Sequence, residues 1–156
     1  MIGGATMTTN EAVEKYSEQY DVPKDLINAI IEVESSGNSY AVRYEKNYRW
    51  LAKPLGKYHW HTPTEKISQK TSWGLMQIMG AVARERGFEG KYLAELCNPE
   101  MGVKYGVKHL KWQYKRYGNW EDAVSAYNQG NNKKINGEYK NQSYVDKVMR
   151  LWGDDY

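Results

Sequence analysis

The sequence predicts a mostly α-helical single domain, on three observations. Apolar residues recur at spacings of three and four within residues 26–33 and 103–117, as one buried face of a helix requires. No segment alternates apolar and polar residues over the length of a convincing strand. The length of 156 residues suits one compact core, and no internal repeat divides it.

Two helices are predicted near the N-terminus. Thr8 forms a capping box with Glu11, and apolar residues follow at helical spacing, which indicates a short first helix. Pro23 fits the first position of the second helix. The apolar stripe of that helix leads directly to Glu34, and Gly37 then ends it.

Residues 38–72 are the least regular part of the sequence and are dense in Tyr, Trp, His and Arg. A long loop within a compact domain is usually functional or disordered, and the aromatic content disfavours disorder. We therefore expect an irregular, aromatic-rich segment that could include a short helix or a small β-hairpin. Glu45 and Glu65 are its only acidic residues.

The second half of the chain predicts further helices joined by short connections. Asn98 and Pro99 begin the longest amphipathic pattern, which Gly118 ends, and Asn119 caps the helix that follows. The predicted helices are residues 75–86, 98–117, 119–130 and 143–152, with one more turn at 91–96 and a polar loop at 131–142.

Composition narrows the class of protein. The net charge of +3 comes from scattered Lys and Arg without a dense basic cluster, so nucleic-acid binding is not expected. Fourteen Tyr and six Trp against one Phe suit a wet binding cleft. Cys97 is the only cysteine and forms no intrachain disulfide; we expect a small buried residue. His59 and His61 without a third ligand make a poor metal site.

Glu34 is the candidate catalytic residue from its position alone. A carboxyl at a helix C-terminus faces the negative end of the helix dipole, and apolar neighbours remove water from it. Both effects raise the pKa, and a carboxyl still protonated near neutral pH can act as a general acid. The alternative is an ordinary glutamate at a helix end that points to water.

Three motifs occur in order, each near the end of a predicted helix. They are ESSGN with Glu34, GLMQIM from Gly74 and AYNQG from Ala126, followed by SYVDKV from Ser143. Together they resemble the soluble lytic transglycosylase family, which is related to goose-type lysozyme. The resemblance covers about residues 22–152, except much of 40–71. It implies a lysozyme-like domain that cleaves the MurNAc–GlcNAc bond of peptidoglycan without metal or organic cofactor.

The resemblance also implies roles for individual residues. Glu34 would be the catalytic acid. The implied substrate-binding residues are Gly74, Met76, Gln77, Tyr127, Asn128 and Tyr144. Structural roles stay open for some of them, because Met76 suits the core, Tyr127 completes an apolar stripe and Asn128 could cap a helix end.

The implied reaction uses one carboxyl twice. Glu34 would protonate the leaving oxygen and then take the proton of the MurNAc 6-hydroxyl, which closes a 1,6-anhydro ring. The interval from Glu34 to Gly74 is longer than in the family and lacks its Ser-Pro-x-Gly-Ala turn. Goose-type lysozymes carry extra acids there. A hydrolytic muramidase or chitinase-like enzyme that uses Glu45 or Glu65 as a second carboxylate is therefore an alternative. Otherwise these two residues are solvent-facing loop acids without a catalytic role. A non-catalytic glycan-binding module is a further alternative.

The resemblance places the substrate at the cell wall. Residues 1–9 lack a signal-peptide pattern, and no apolar segment approaches the ~20 residues of a membrane span. A phage-associated enzyme or a domain of a longer secreted protein fits this combination. We expect a monomer that binds peptidoglycan strands, and a single domain over residues 1–156 in which residues 1–8 form a flexible tail.

Overall fold

The computed structural model describes residues 6–52 and 62–153. Helices account for most of this part of the chain, so the predicted mostly α class is confirmed. In chain order the elements are α1 Thr9–Tyr20, α2 Lys24–Ser35, β1 Val42–Tyr44, α3 Pro63–Gln69, β2 Thr71–Trp73, β3 Ile78–Met79, α4 Gly80–Glu85, a 3-10 turn Leu93–Cys97, α5 Pro99–Tyr117, α6 Trp120–Gln129, β4 Lys134–Ile135, β5 Glu138–Tyr139 and α7 Gln142–Trp152.

Helix α5 is the centre of the domain. It packs against α1 and α6, while α2 packs against α7. The main core joins Val103, Val107 and Leu110 of α5 to the apolar face of α2, and all three side chains are fully buried. Gly106 of α5 has no room for a side chain, because a Cβ there would lie 2.5 Å from the sulfur of Met76.

The predicted helix ends on these elements are confirmed where local capping determines them. Thr8 and Glu11 form the capping box of α1, and the side chains of Asn98 and Asn119 cap α5 and α6. Gly118 ends α5 in the left-handed region with φ of 83°. Residues 6–8 do not form a separate tail in this part of the chain, because Thr8 caps α1 and Met7 packs against the main core.

The predicted helix over residues 75–86 is wrong for its first half. Gly74 has a φ of 73° and Gln77 a φ of 48°, so residues 74–77 form a turn between β2 and β3. Two left-handed residues so close together cannot continue an α-helix. Only Gly80–Glu85 is helical, and it ends at Arg86.

Residues 38–72 contain the short helix that the sequence left open, but sheet strands in place of a small β-hairpin. Strand β1 pairs antiparallel with β2, and β2 pairs antiparallel with β3, so a three-stranded sheet joins this segment to the turn at Gly74. Helix α3 is the short helix. His59 and His61 lie outside the described residues.

The predicted loop over residues 131–142 contains a second antiparallel pair, β4 and β5, with Ile135 opposite Glu138. Asn136 and Gly137 connect the strands with φ values of 54° and 82°. This is the Asn-Gly turn that suits the twist of a two-residue hairpin. These two strands were not predicted from the sequence. No helix of residues 6–52 and 62–153 is long and apolar enough to cross a membrane.

Candidate active site

An open cleft of about 820 Å³ lies between the end of α2, the three-stranded sheet and the end of α6. Among the predicted site residues it brings together Glu34, Glu45, Gln77, Tyr127 and Asn128. These residues come from four separate parts of the sequence.

Glu34 lies in the last turn of α2 and is half-buried at the wall of the cleft. The Tyr144 hydroxyl donates a hydrogen bond of 3.0 Å to its Oε2 atom. Burial raises the pKa of Glu34 to about 7, while the bond from Tyr144 and the charge of Arg43 act in the opposite direction. A carboxyl with this pKa can release and recover a proton near neutral pH.

The end of α2 is fixed to the turn at residues 74–77. The hydroxyl of Ser35 donates a hydrogen bond of 2.8 Å to the carbonyl oxygen of Leu75. Ser36 then leaves the helix with a φ of 51°. Because Glu34 directly precedes this anchored residue, its backbone is held in place relative to the turn.

Tyr127 and Tyr144 form a pair of buried hydroxyls beside Glu34. The Tyr127 hydroxyl donates a hydrogen bond of 2.6 Å to the carbonyl oxygen of Met76. Burial, and then the nearby Glu34 carboxyl, raise the pKa of each tyrosine well above its ordinary value. Both rings therefore stay neutral and act as hydrogen-bond donors.

The predicted site residues of the turn at residues 74–77 have different surroundings: one lines the cleft and two are buried. The Gln77 side chain lines the cleft, and its amide nitrogen donates to the carbonyl oxygens of Ala41 at 2.9 Å and Gly74 at 3.0 Å. Met76 is fully buried in the main core, so its side chain does not line the cleft. Gly74 is also buried, and a Cβ there would lie 2.5 Å from the Leu96 carbonyl oxygen.

Asn128 is exposed at the rim of the cleft. Its side-chain oxygen accepts a hydrogen bond of 2.9 Å from the amide of Asn141. The C-cap of α6 is Gly130, so the alternative role of Asn128 as the capping residue is wrong.

The two loop acids have different surroundings. Glu45 lines the same cleft as Glu34 and forms an ion pair of 2.9 Å with Arg43. Glu65 instead lies in α3, buried, where Arg84 contacts both of its carboxylate oxygens at 2.8 and 3.2 Å. Glu65 is therefore neither a solvent-facing acid nor a cleft acid, and its expected alternatives are both wrong.

Two residues of the aromatic-rich segment and one residue that the sequence did not single out also line the cleft. Tyr48 and Trp50 follow β1, and their rings meet edge to face with centroids 5.5 Å apart. His109 reaches the cleft from α5 and is almost fully buried. A histidine within the apolar face of the longest helix was the available sequence signal for the last of these.

Neither the free cysteine nor a cluster of metal-ligating side chains adds further chemistry in the described part of the chain. Cys97 is only partly buried at the end of the 3-10 turn, rather than the buried small residue that was expected. Within residues 6–52 and 62–153, no three His, Cys, Asp or Glu side chains come close enough together to hold a metal ion.

The fold and this site define a lysozyme-like helical domain with one partly buried acid in an open cleft. Solved structures share the fold. An inactive mutant of the lytic transglycosylase Slt from Pseudomonas aeruginosa aligns with a TM-score of 0.64 and 18% identity, over 90% of this chain and 22% of that chain. The soluble lytic transglycosylase SLT70 of Escherichia coli aligns with a TM-score of 0.54 and 20% identity, over 92% of this chain and 18% of that chain.

The chain belongs to the transglycosylase SLT domain family, whose model matches residues 11–149. Protein IpgF of Shigella sonnei is 29% identical over 142 residues, which cover 89% of this chain and 77% of IpgF. A protein named transglycosylase from Enterobacteria phage PRD1 is 27% identical over 140 residues, covering 90% of this chain and 41% of the phage protein. The predicted family is confirmed, and it supports a peptidoglycan lytic transglycosylase as the class of enzyme.

Proposed function

We propose that this chain cleaves the β-1,4 bond between MurNAc and GlcNAc in peptidoglycan and leaves a 1,6-anhydro-MurNAc end. The observation that carries the proposal is the environment of Glu34. Its carboxyl is half-buried in an open cleft, accepts a hydrogen bond from Tyr144 and has a pKa raised to about 7. Membership in the transglycosylase SLT domain family supports the same reaction.

In the first step Glu34 donates its proton to the glycosidic oxygen of the departing GlcNAc. The bond from that oxygen to the MurNAc anomeric carbon breaks, and positive charge develops at the carbon. The N-acetyl group of the same MurNAc can share this charge. Burial favours the protonated Glu34 before the step, and the Tyr144 hydroxyl stabilises the carboxylate that the step produces.

In the second step the Glu34 carboxylate takes the proton of the MurNAc 6-hydroxyl. The 6-oxygen then bonds to the anomeric carbon, so the ring closes and Glu34 is protonated again. No water is consumed. Tyr127 supports the geometry by fastening α6 to the turn through the Met76 carbonyl, and Gln77 and Asn128, which line the cleft, are the proposed sugar contacts. Gly74 and Met76 shape the turn that carries Gln77.

Mass spectrometry of the products released from purified peptidoglycan tests this proposal. We expect the unmodified chain to release 1,6-anhydro-muropeptides and Glu34→Gln to release none while it stays folded. Glu32→Gln is the matched control, because Glu32 lies on the same turn of α2 but is exposed. Full activity in Glu34→Gln would refute the assignment of the acid.

A hydrolytic muramidase that uses Glu45 is the second candidate. Glu45 lines the same cleft and could hold a water molecule for attack on the anomeric carbon. The ion pair with Arg43 disfavours this role, because that arginine holds one of the carboxylate oxygens. Products with reducing ends only, together with loss of activity in Glu45→Gln, would establish the hydrolase in place of the transglycosylase; the same experiment on chitin would reveal a chitinase-like specificity.

The setting of the reaction follows from the substrate. We propose that a single domain acts as a monomer on glycan strands of the cell wall, without metal or organic cofactor. A phage-associated enzyme and a domain of a secreted protein both fit, and relatives come from phage and bacteria. A binding-only module would hold the glycan equally well in the unmodified chain and in Glu34→Gln, with no product in either case.

A further inference from the structure

His109 is a buried cleft residue that the proposed reaction does not use. It lies on α5, only 7% exposed, and its ring lines the cleft beside Tyr127, with centroids 5.5 Å apart. Its outer face stacks on Trp112 at 6.0 Å. A polar ring held between two aromatic rings has little freedom to turn, so its nitrogen atoms have defined directions.

Arg86 determines which nitrogen of His109 carries the proton. The Arg86 Nε–H donates a hydrogen bond of 3.2 Å to His109 Nδ1, so Nδ1 is an acceptor and the neutral ring carries its proton on Nε2. Arg86 is itself held by Trp112, whose ring centroid lies 3.9 Å from its guanidinium carbon. The arrangement therefore presents one fixed Nε2–H donor.

This donor has no acceptor among residues 6–52 and 62–153. Nε2 is also not among the fully buried unpaired atoms of that part of the chain, and His109 lines the open cleft. A rigid donor without a protein acceptor, at the wall of a substrate cleft, fits a ligand oxygen.

The apolar part of the cleft lining indicates which ligand group His109 fits. Met79 and Val82, both partly exposed, contribute apolar atoms to the same cleft. An acetamido group offers both a carbonyl oxygen that accepts from an N–H and a methyl group that prefers apolar contacts. Sugar hydroxyls match only the polar part of this surface.

We propose that His109 binds the acetamido carbonyl of an N-acetylated sugar through Nε2–H, with Arg86 as a positioning residue that fixes the tautomer. The inference rests on the proposed function, because it assigns a substrate contact within the same cleft. It adds a requirement on the substrate, the acetamido group, that the reaction at Glu34 does not impose. De-N-acetylated glycan should bind more weakly even though the scissile bond is unchanged.

Binding is measured in the Glu34→Gln chain, which holds the glycan without cutting it. NMR titration with tri-N-acetylchitotriose gives the Kd, and the fully de-N-acetylated trisaccharide is the comparison probe. His109→Phe keeps the aromatic stack and removes the donor, so we expect roughly tenfold weaker binding of the N-acetylated probe. His109→Gln keeps an N–H donor and should recover most of the affinity.

Lys108→Gln is the control, since Lys108 neighbours His109 on α5 but does not line the cleft. It should leave the Kd unchanged. Equal affinities in His109→Phe and the parent chain would overturn the inference. An equal loss of affinity for both probes in His109→Phe would also overturn it. So would a Glu34→Gln chain that does not bind the N-acetylated probe although the chain with Glu34 cleaves peptidoglycan. None of these results would alter the assignment of Glu34.

A second measurement leaves His109 and the aromatic rings around it unmodified. Nitrogen-15 NMR of the unmodified imidazole should report the neutral ring with its proton on Nε2 from about pH 5 to 8, because burial and the Arg86 charge lower the pKa of His109 to about 3. The signal is assigned by its loss in His109→Gln. Addition of the N-acetylated probe should change the nitrogen-15 chemical shift of Nε2 and leave that of Nδ1 nearly unchanged. A proton on Nδ1, or an Nε2 signal that ignores the probe, would contradict the proposal.

Discussion

Replacing Glu34 with Gln should stabilise the protein at alkaline pH. Burial raises the pKa of Glu34 from 4.5 to about 7, so the folded state prefers the protonated carboxyl more than the unfolded state does. The stability that this preference supplies is complete below pH 4.5 and is lost as pH rises through 7. Above that pH the folded chain carries a charge that its surroundings disfavour.

The size of the effect follows from the pKa shift. At 1.36 kcal/mol per pKa unit, the shift from 4.5 to about 7 corresponds to roughly 3 kcal/mol. Solvent reaches part of the side chain, and this screening reduces the expected gain to about 2 kcal/mol. Gln can still accept the hydrogen bond from Tyr144 through its amide oxygen, so that contact survives.

Urea denaturation at pH 4 and pH 8 measures the prediction. The free energy of unfolding of Glu34→Gln should exceed that of the unmodified chain by about 2 kcal/mol at pH 8 and by almost nothing at pH 4. Glu32→Gln, on the exposed side of the same helix, should show no such pH dependence. A Glu34→Gln gain that is absent at pH 8, or equal at both pH values, would refute the reasoning about the buried carboxyl.

Three further predictions concern the support of the site. Tyr144→Phe removes the hydrogen bond that favours the Glu34 carboxylate, so the pKa of Glu34 should rise. The alkaline limb of the pH–rate profile should then move to higher pH by roughly one unit, and an unmoved limb would contradict this. Gly74→Ala places a Cβ 2.5 Å from the Leu96 carbonyl oxygen at a φ of 73°, so it should lower the free energy of unfolding by about 2 kcal/mol or more in thermal unfolding. Gly153→Ala is the control and should cost less, because Gly153 is also left-handed but a Cβ there would meet no atom within 4 Å. Glu65→Gln breaks the buried pair with Arg84 and should cost about 3 kcal/mol in urea unfolding, and a loss below 1 kcal/mol would show that the pair is not needed.

The elements that could be predicted from the sequence are those whose ends are determined locally. The capping box at Thr8, Asn98 before Pro99 and Gly118 specify helix ends through contacts within a few residues. Glu34 could be identified for the same reason, because a helical stripe that leads to an acid is visible without tertiary structure. Its link to Tyr144 comes from α7 and could be expected only from the family resemblance.

The features that could not be predicted depend on contacts between distant segments. The apolar spacing after Gly74 resembles a helix, yet Gly74 must pass close to the Leu96 backbone and the chain turns there. Glu65 looked like a loop acid because Arg84, its partner, lies on a different helix. The hairpin at residues 134–139 was missed although Asn136-Gly137 is a strong local signal, since its strands have only two residues each.

The central claim is that one carboxyl, Glu34, both gives and recovers the proton without water. Digestion of purified peptidoglycan in water enriched in oxygen-18 tests it most directly, with mass spectrometry of the released fragments. The account predicts 1,6-anhydro ends that carry no label and that disappear in Glu34→Gln. Labelled reducing ends, formed by the unmodified chain in place of anhydro ends, would contradict it.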